Sequence, residues 1–349
     1  MAHIFKNPTN DSKGIIVLTH QEVNFISNNQ NTHSKIIEIK NKYFIGVHYG
    51  GYSHGVRVPL FCDFYFGLPS VIGQQPHAYH IPLASGNFTA DYFTPDSNNN
   101  KYWDIINVSR NGNVKNLRTF FQEVKKIYNL GFKYKILLVC ASRKEETDRS
   151  HFTDIADVYY DTFSKEERDL FTLMRLGKDL EFKGLSKKQL SYFYQSSKVA
   201  TLFSEMEGFP GVIPEALLTG LPVVIWSGQR GSAKDFLNDT NSILFDTFDK
   251  AHLALIDAVK NHDKFNHDHN RLLNELGEKE SIKRLKNHFS KIYSLNKQKY
   301  DYNLINQDDL VSRLPAHYVP LPWANSRHHN GHIKTVEQFD IFAKIVLSF

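Results

Sequence analysis

Two carboxylates eight positions apart, Glu207 and Glu215, stand in the stretch LFSEMEGFPGVIPEALLTGLPVVIW over 202–226. Its residue types read strand, loop, helix, turn, strand. Gly208, Pro210 and Gly211 keep the chain out of a helix just after the apolar run, so a helix begins only around Gly211 to Pro214; Gly220 followed by Pro222 ends it. Glu207 is therefore expected on the loop and Glu215 in the first turns of the helix. A carboxylate accepts two hydroxyl hydrogen bonds at once, and a helix N-terminus offers unpaired N–H groups and partial positive charge to a phosphate or a sugar hydroxyl. Acids placed across that junction can touch different parts of one extended ligand, and a nucleotide sugar, with a diol at each end, is of that kind. Singly, Glu215 reads as a first-turn acid favoured by the helix dipole and Glu207 as a surface loop acid. The glycines, the preceding strand and the Val-Val strand that follows favour the joint, ligand-binding reading.

Such a junction needs a sheet to carry it. Apolar runs at 104–109 (DIINVS), 135–140 (KILLVC), 180–183 (LEFK), 198–203 (KVATLF), 222–226 (PVVIW) and 242–245 (SILF) are separated mostly by helical patterns. Continuous Val, Ile and Leu alternating with helices predict a doubly wound parallel sheet, which binds ligands at the carboxyl ends of its strands. Before it, GIIVLT (14–19), YFIGVH (43–48) and FCDFYF (61–66) predict strands of a smaller first domain. The turn-rich TPDSNNNK (94–101) places a boundary there. The expected organisation is thus 1–95 as a first Rossmann-like domain, 96–295 as the second, and 296–349 as a C-terminal tail. That tail is rich in Pro, His and aromatics, ends in an amphipathic helix (VEQFDIFAKIVLSF), and is expected to cross back to the first domain.

A length of 349 residues with 41% hydrophobic content supports two domains. A net charge of +5 suits anionic substrates but falls far short of a nucleic-acid signature, so no nucleic-acid partner is expected. The basic stretch Lys260 to Lys299 reads first as a solvated helix face, its field diluted by Glu278 and Glu280, and also admits peripheral contact with an anionic membrane surface. Cys62 and Cys140 sit in apolar, strand-like contexts and form no disulfide framework. Without a signal-peptide pattern or a run of about 18 apolar residues, the expectation is a cytoplasmic protein, peripheral at most to the inner membrane face. His328, His329 and His332 look superficially like metal ligands, yet Gly331 interrupts any helix and no Cys or acid is near. With no Asp-x-Asp element either, no metal and no cofactor are expected.

The run from Glu207 to Val224 resembles the E-x7-E signature of glycosyltransferase family 4, retaining enzymes of the GT-B fold. The resemblance extends to His80–Pro95 (HIPLASGNFTADYFTP), similar to that family's inter-domain linker, and to Ile106–Asn116 (INVSRNGNVKN), similar to its first donor-domain strand and loop; it covers about 80–290. It implies two Rossmann-like domains with parallel sheets facing a cleft, the first unusually short here. It implies that Arg110 and Lys115 grip the donor diphosphate, that Glu215 holds the ribose hydroxyls and that Glu207 holds the donor sugar hydroxyls. Gly208 and the backbone of Phe209, Pro210, Gly211 and Val212 would lie beside the donor, Pro210 contributing no N–H, and Ser227–Ala233 (SGQRGSA) would supply the glycine-rich loop near the diphosphate. A functional histidine is implied in the first domain: His48, just past a strand, is the candidate and His54 the runner-up. The activity implied is retaining, metal-independent hexosyl transfer from a nucleotide sugar, taken as a UDP-sugar, to a glycan or lipid-linked acceptor in surface glycan or polysaccharide synthesis. The competing readings are a sugar-nucleotide epimerase or a phosphorylase on the same fold, a DNA-modifying glucosyltransferase, and a catalytically silent sugar-nucleotide-binding module.

Overall fold

A computed structural model of the chain describes residues 2–49, 57–69, 75–96, 98–141, 155–177, 184–301, 317–323 and 332–349. The chain divides into two units, one formed by 1–88 together with 278–349 and the other by 89–277.

In the first unit, strands β1 (His3–Lys6), β2 (Gly14–Thr19), β3 (Tyr43–His48), β4 (Phe64–Phe66) and β5 (Tyr79–Ile81) lie side by side in chain order, and the short strand His317–Tyr318 flanks β1. β2 to β5 are parallel, while β1 runs antiparallel to both of its neighbours. Successive residues of a strand point to opposite faces, and both faces here are apolar. Ile16, Leu18, Ile45 and Val47 pack with Val23, Ile26, Ile36, Ile39, Phe339, Phe342 and Val346 from the helices His20–Asn28, His33–Lys42 and Val336–Leu347. Ile15, Val17, Phe44, Phe64 and Phe66 pack instead with Leu285, Phe289, Ile292 and Tyr293, one stripe of the helix Glu278–Leu295. Edge-to-face ring pairs fix that contact, Phe44 with Tyr293 at 4.8 Å and Phe5 with Phe289 at 5.5 Å.

The division falls at 88/89 and 277/278, not at the boundaries expected at 95 and 295. The helix Glu278–Leu295 belongs to the first unit, because its apolar stripe meets the aromatic face of that unit's sheet, and the returning segment nearly doubles a domain that the sequence makes look short. His80, expected to open a linker, lies in β5.

In the second unit, β6 (Trp103–Arg110), β7 (Ile136–Ala141), β8 (Phe171–Leu176), β9 (Ser197–Leu202), β10 (Val223–Trp226) and β11 (Ser242–Phe245) form a wholly parallel sheet in the order β8-β7-β6-β9-β10-β11. This is the doubly wound arrangement, with its winding reversed between β6 and β9. Helices such as Leu117–Asn129 and Ala251–Lys260 bury Phe120, Phe121, Val124, Leu255 and Val259 against it. Among the described residues, four strands escape the sequence reading: β1, β5, β8 and His317–Tyr318. β8 (FTLMRL) is an edge strand, mostly half-buried and polar in part, so it lacks a continuous apolar run. The strand expected at 180–183 lies outside the described residues. Among the described residues no helix is long and apolar enough to cross a membrane.

Burial in the first unit pulls His3 down to about 3 and His48 down to about 4, each helped by a neighbouring histidine, His48 and His20 respectively. Both stay neutral when folded and take up a proton in the unfolded chain below their ordinary value of 6.5. The unfolded state binds more protons in that window, so stability is present above pH 6.5 and is lost as the pH falls toward about 4. Urea midpoints measured across that range should decline with acidification, and the decline should be shallower in His48→Gln; an unchanged slope in the variant rules out this assignment.

Candidate functional site

The reversal between β6 and β9 leaves the loops after their carboxyl ends side by side. The first runs from Arg110, the exposed last residue of β6, through a short helical turn at Asn113–Lys115 to Asn116, which adopts a left-handed conformation (φ 48°) and caps the helix Leu117–Asn129. Asparagine tolerates that conformation better than most residues. The second loop, 203–211, is stitched to the first by Glu205 N–H donating to the Val114 carbonyl at 3.1 Å and by Asn116 Nδ2 donating to Glu205 Oε1 at 3.1 Å. Between them, Lys115 Nζ donates to Glu207 Oε1 in an ion pair whose members are only 8% and 5% exposed. The side chain of Arg110, by contrast, has no hydrogen bond or ion pair among the described residues.

The glycine-rich loop closes on the other side of Glu207. Arg230 N–H donates to the Glu205 carbonyl and Glu207 N–H to the Arg230 carbonyl, each at 2.9 Å, and Ser232 N–H donates to the Gly208 carbonyl at 3.1 Å. Gly231, at φ 105°, makes a bend there that side-chain-bearing residues rarely adopt. Gln229 Nε2 reaches the Ser204 carbonyl at 2.9 Å, and the rings of Phe209 and Phe236 stack 5.1 Å apart. The backbone carrying Glu207 is thus held from both flanks.

After Pro210 the helix Val212–Leu218 starts at Gly211 with no side-chain cap and stops where Gly220 (φ 77°) lets Leu221 N–H reach the Ala216 carbonyl at 3.0 Å and its own N–H reach Leu217 at 3.0 Å. That pair of bonds is a Schellman stop. Glu215, in the first turn, is fully buried, and Lys187 Nζ donates to its Oε1.

Arg110, Lys115, Glu207, Gly208, Phe209, Pro210, Gly211, Val212 and Glu215 all lie in the second unit, where Lys115 and Glu207 are in direct contact. The structure also adds Lys187, which the sequence reading missed. A signal exists for Lys187: Ser186 and Gln189 form a capping box that places a lysine at the positive first position of the helix Lys187–Gln195, against the local electrostatic preference. His48 ends β3 in the first unit, its Nε2 buried and without a hydrogen-bond partner among the described residues, with the Phe66 ring centre 6.2 Å away. His54, His328 and His329 lie outside the described residues. His332 sits 3.8 Å from Glu22, the capping-box acid of the helix His20–Asn28, which gives it an anchoring role for the tail.

Residues 104–261 match the family model described as glycosyl transferases group 1. No curated protein matches the chain. Among solved structures, the pneumococcal O-GlcNAc transferase GtfA, in complex with UDP and GlcNAc, superposes with a TM-score of 0.52 at 14% identity, covering 74% of this chain and 54% of that one. Sucrose-phosphate synthase from Thermosynechococcus elongatus gives 0.57 at 13% identity over 80% and 74%, and Anabaena HepE in complex with UDP gives 0.55 at 12% over 75% and 76%. The fold is GT-B. The chain spans about half the length of the pneumococcal transferase.

Breaking a buried ion pair from one side strands a charge, whereas neutralising both sides does not. Lys115→Met and Glu207→Gln should each lower unfolding stability by about 3 kcal/mol, and the double variant should recover most of that loss in urea titrations. Additive losses would mean that the two side chains do not form a pair in solution.

Proposed function

We propose that this GT-B chain is a retaining hexosyltransferase that moves a sugar from a nucleotide sugar to a hydroxyl of a glycan or lipid-linked acceptor, in surface glycan or polysaccharide synthesis. The observation that carries the reading is the Lys115–Glu207 pair at the winding reversal, with the exposed Arg110 at the carboxyl end of β6 and Glu215 at the start of the helix Val212–Leu218. The GtfA and HepE structures contain UDP, which supports a uridine donor.

As the glycosidic bond breaks, negative charge builds on the leaving diphosphate. Cations fixed at its oxygens stabilise the transition state more than the ground state, and Arg110 and Lys115 are assigned that task. With the charge met by the chain's own cations, the reaction runs without a metal. Glu207 accepts hydrogen bonds from the donor sugar and Glu215 from the ribose, while Gly208 and the backbone of Phe209 to Val212, together with the 227–233 loop, line the donor. In a front-face reaction the acceptor oxygen bonds to the anomeric carbon on the side the diphosphate leaves, and the acceptor proton passes to a leaving phosphate oxygen. His48, neutral in the fold, is assigned a hydrogen bond to a reacting sugar.

Calorimetry of UDP, GDP and ADP should show selective binding of UDP to the wild type, weakened roughly tenfold or more in Glu215→Ala, the cost of losing hydrogen bonds to a charged acceptor. No binding of any nucleotide would leave a silent module as the better reading. In a transfer assay, proton NMR of the product should show the donor's anomeric configuration, and His48→Ala and Glu207→Ala should both lose turnover. An inverted product overturns the front-face reaction, and full turnover by His48→Ala removes that residue from it.

A further inference from the structure

The buried Glu215 carboxylate meets the ammonium of Lys187, a residue the donor-site reading does not use. The pair is asymmetric: the Glu215 side chain is 0% exposed and that of Lys187 49%. A charge held away from water is costly unless a counter-charge and hydrogen bonds compensate it. Lys187 comes from a different segment, 28 positions earlier, on the first turn of the helix Lys187–Gln195, which packs beside the helix Val212–Leu218. The capping box of Ser186 and Gln189 fixes that first turn, with Gln189 N–H donating to Ser186 Oγ at 3.2 Å and Ser186 N–H to Gln189 Oε1 at 2.9 Å. The Lys187 backbone is therefore anchored, and its ammonium approaches Glu215 from a known direction.

A lysine at the first position of a helix opposes the helix dipole. Departures of this sort from local preference concentrate at functional sites. Here the departure delivers a cation to a carboxylate that the fold has already buried.

We propose that Lys187 is a positioning residue for nucleotide recognition: by holding one oxygen of Glu215, it orients the carboxylate toward the ribose diol and sets the preference for ribonucleotides over deoxyribonucleotides. The inference rests on the assignment of Glu215 to the ribose. A carboxylate accepting from a vicinal diol distinguishes the diol from a single hydroxyl only when its plane is fixed, and one oxygen tied to an anchored ammonium fixes it. Lys187 thus acts through Glu215 and is not itself assigned a contact with the reacting atoms.

The test is calorimetric binding of UDP and 2′-deoxy-UDP to the wild type, Lys187→Met and Lys187→Arg, with thermal unfolding of each as a folding check. Wild type should prefer UDP. Lys187→Met should weaken UDP about tenfold, the cost of one charge-assisted hydrogen bond, while 2′-deoxy-UDP binding changes little, so the preference collapses; Lys187→Arg should restore most of it. If Lys187→Met does not fold, Lys187→Gln takes its place, since the side chain is half exposed. An unchanged UDP affinity in the variant overturns the proposal, as does an equal loss for both nucleotides, the mark of a merely structural role. Failure of the wild type to bind UDP is a different result: it removes the donor-site reading and this inference with it.

Discussion

The second unit is organised around the reversal of winding between β6 and β9. The strand order takes the chain from β6 to β7 and β8 on one side, and from β9 to β10 and β11 on the other. Connections leaving β6 and β9 diverge, so no crossover covers the ends of these two strands, and the loops after them must find partners in each other. Buried polar groups require such partners. The backbone bond from Glu205 to Val114, the Asn116 amide and the Lys115–Glu207 ion pair are how this chain meets that requirement. A crevice at the carboxyl ends of a parallel sheet becomes a polar, charge-bearing site as a consequence of topology.

Charge in that site is arranged unevenly. Each acid of the 207–215 segment is buried and carries a lysine from a separate loop or helix, Lys115 for Glu207 and Lys187 for Glu215. Arg110 stands apart from both pairs and is exposed. In the proposed donor site, carboxylates neutralised in this way face hydroxyl groups without repelling a diphosphate, and the exposed guanidinium offers a planar fork to its oxygens. The glycine-rich loop is bonded to Glu207 and Gly208 through Arg230 and Ser232. For the proposed transfer, backbone bonds of this sort supply the fixed support that electrostatic stabilisation of a transition state needs.

The first unit is built on a different interaction. Aromatic side chains of β1, β3 and β4 interlock with one stripe of the helix Glu278–Leu295, and the tail adds an edge strand and the helix Val336–Leu347 on the opposite face. A domain whose N-terminal segment is too short to cover both faces of its own sheet is completed from the far end of the chain. His48 sits at the carboxyl end of β3 in this unit, held neutral by burial.

The sequence by itself determined the local chemistry. The strands 14–19, 43–48 and 242–245, the loop position of Glu207, the helix start just after Gly211 and its stop at Gly220 follow from glycine and proline placement and from runs too apolar to be exposed. The candidate residues between Glu207 and Glu215 could be picked out for the same reason, since their spacing is local, whereas Arg110 and Lys115 were singled out only through the family resemblance. Tertiary structure alone decided what lies far apart in the chain: that Lys115 meets Glu207 across 92 positions, that Lys187 reaches Glu215, and that the helix Glu278–Leu295 covers the first sheet. An amphipathic pattern states that a helix has an apolar face but not which sheet receives it, and a lysine's partner depends on strand order, which hydrophobic periodicity does not encode.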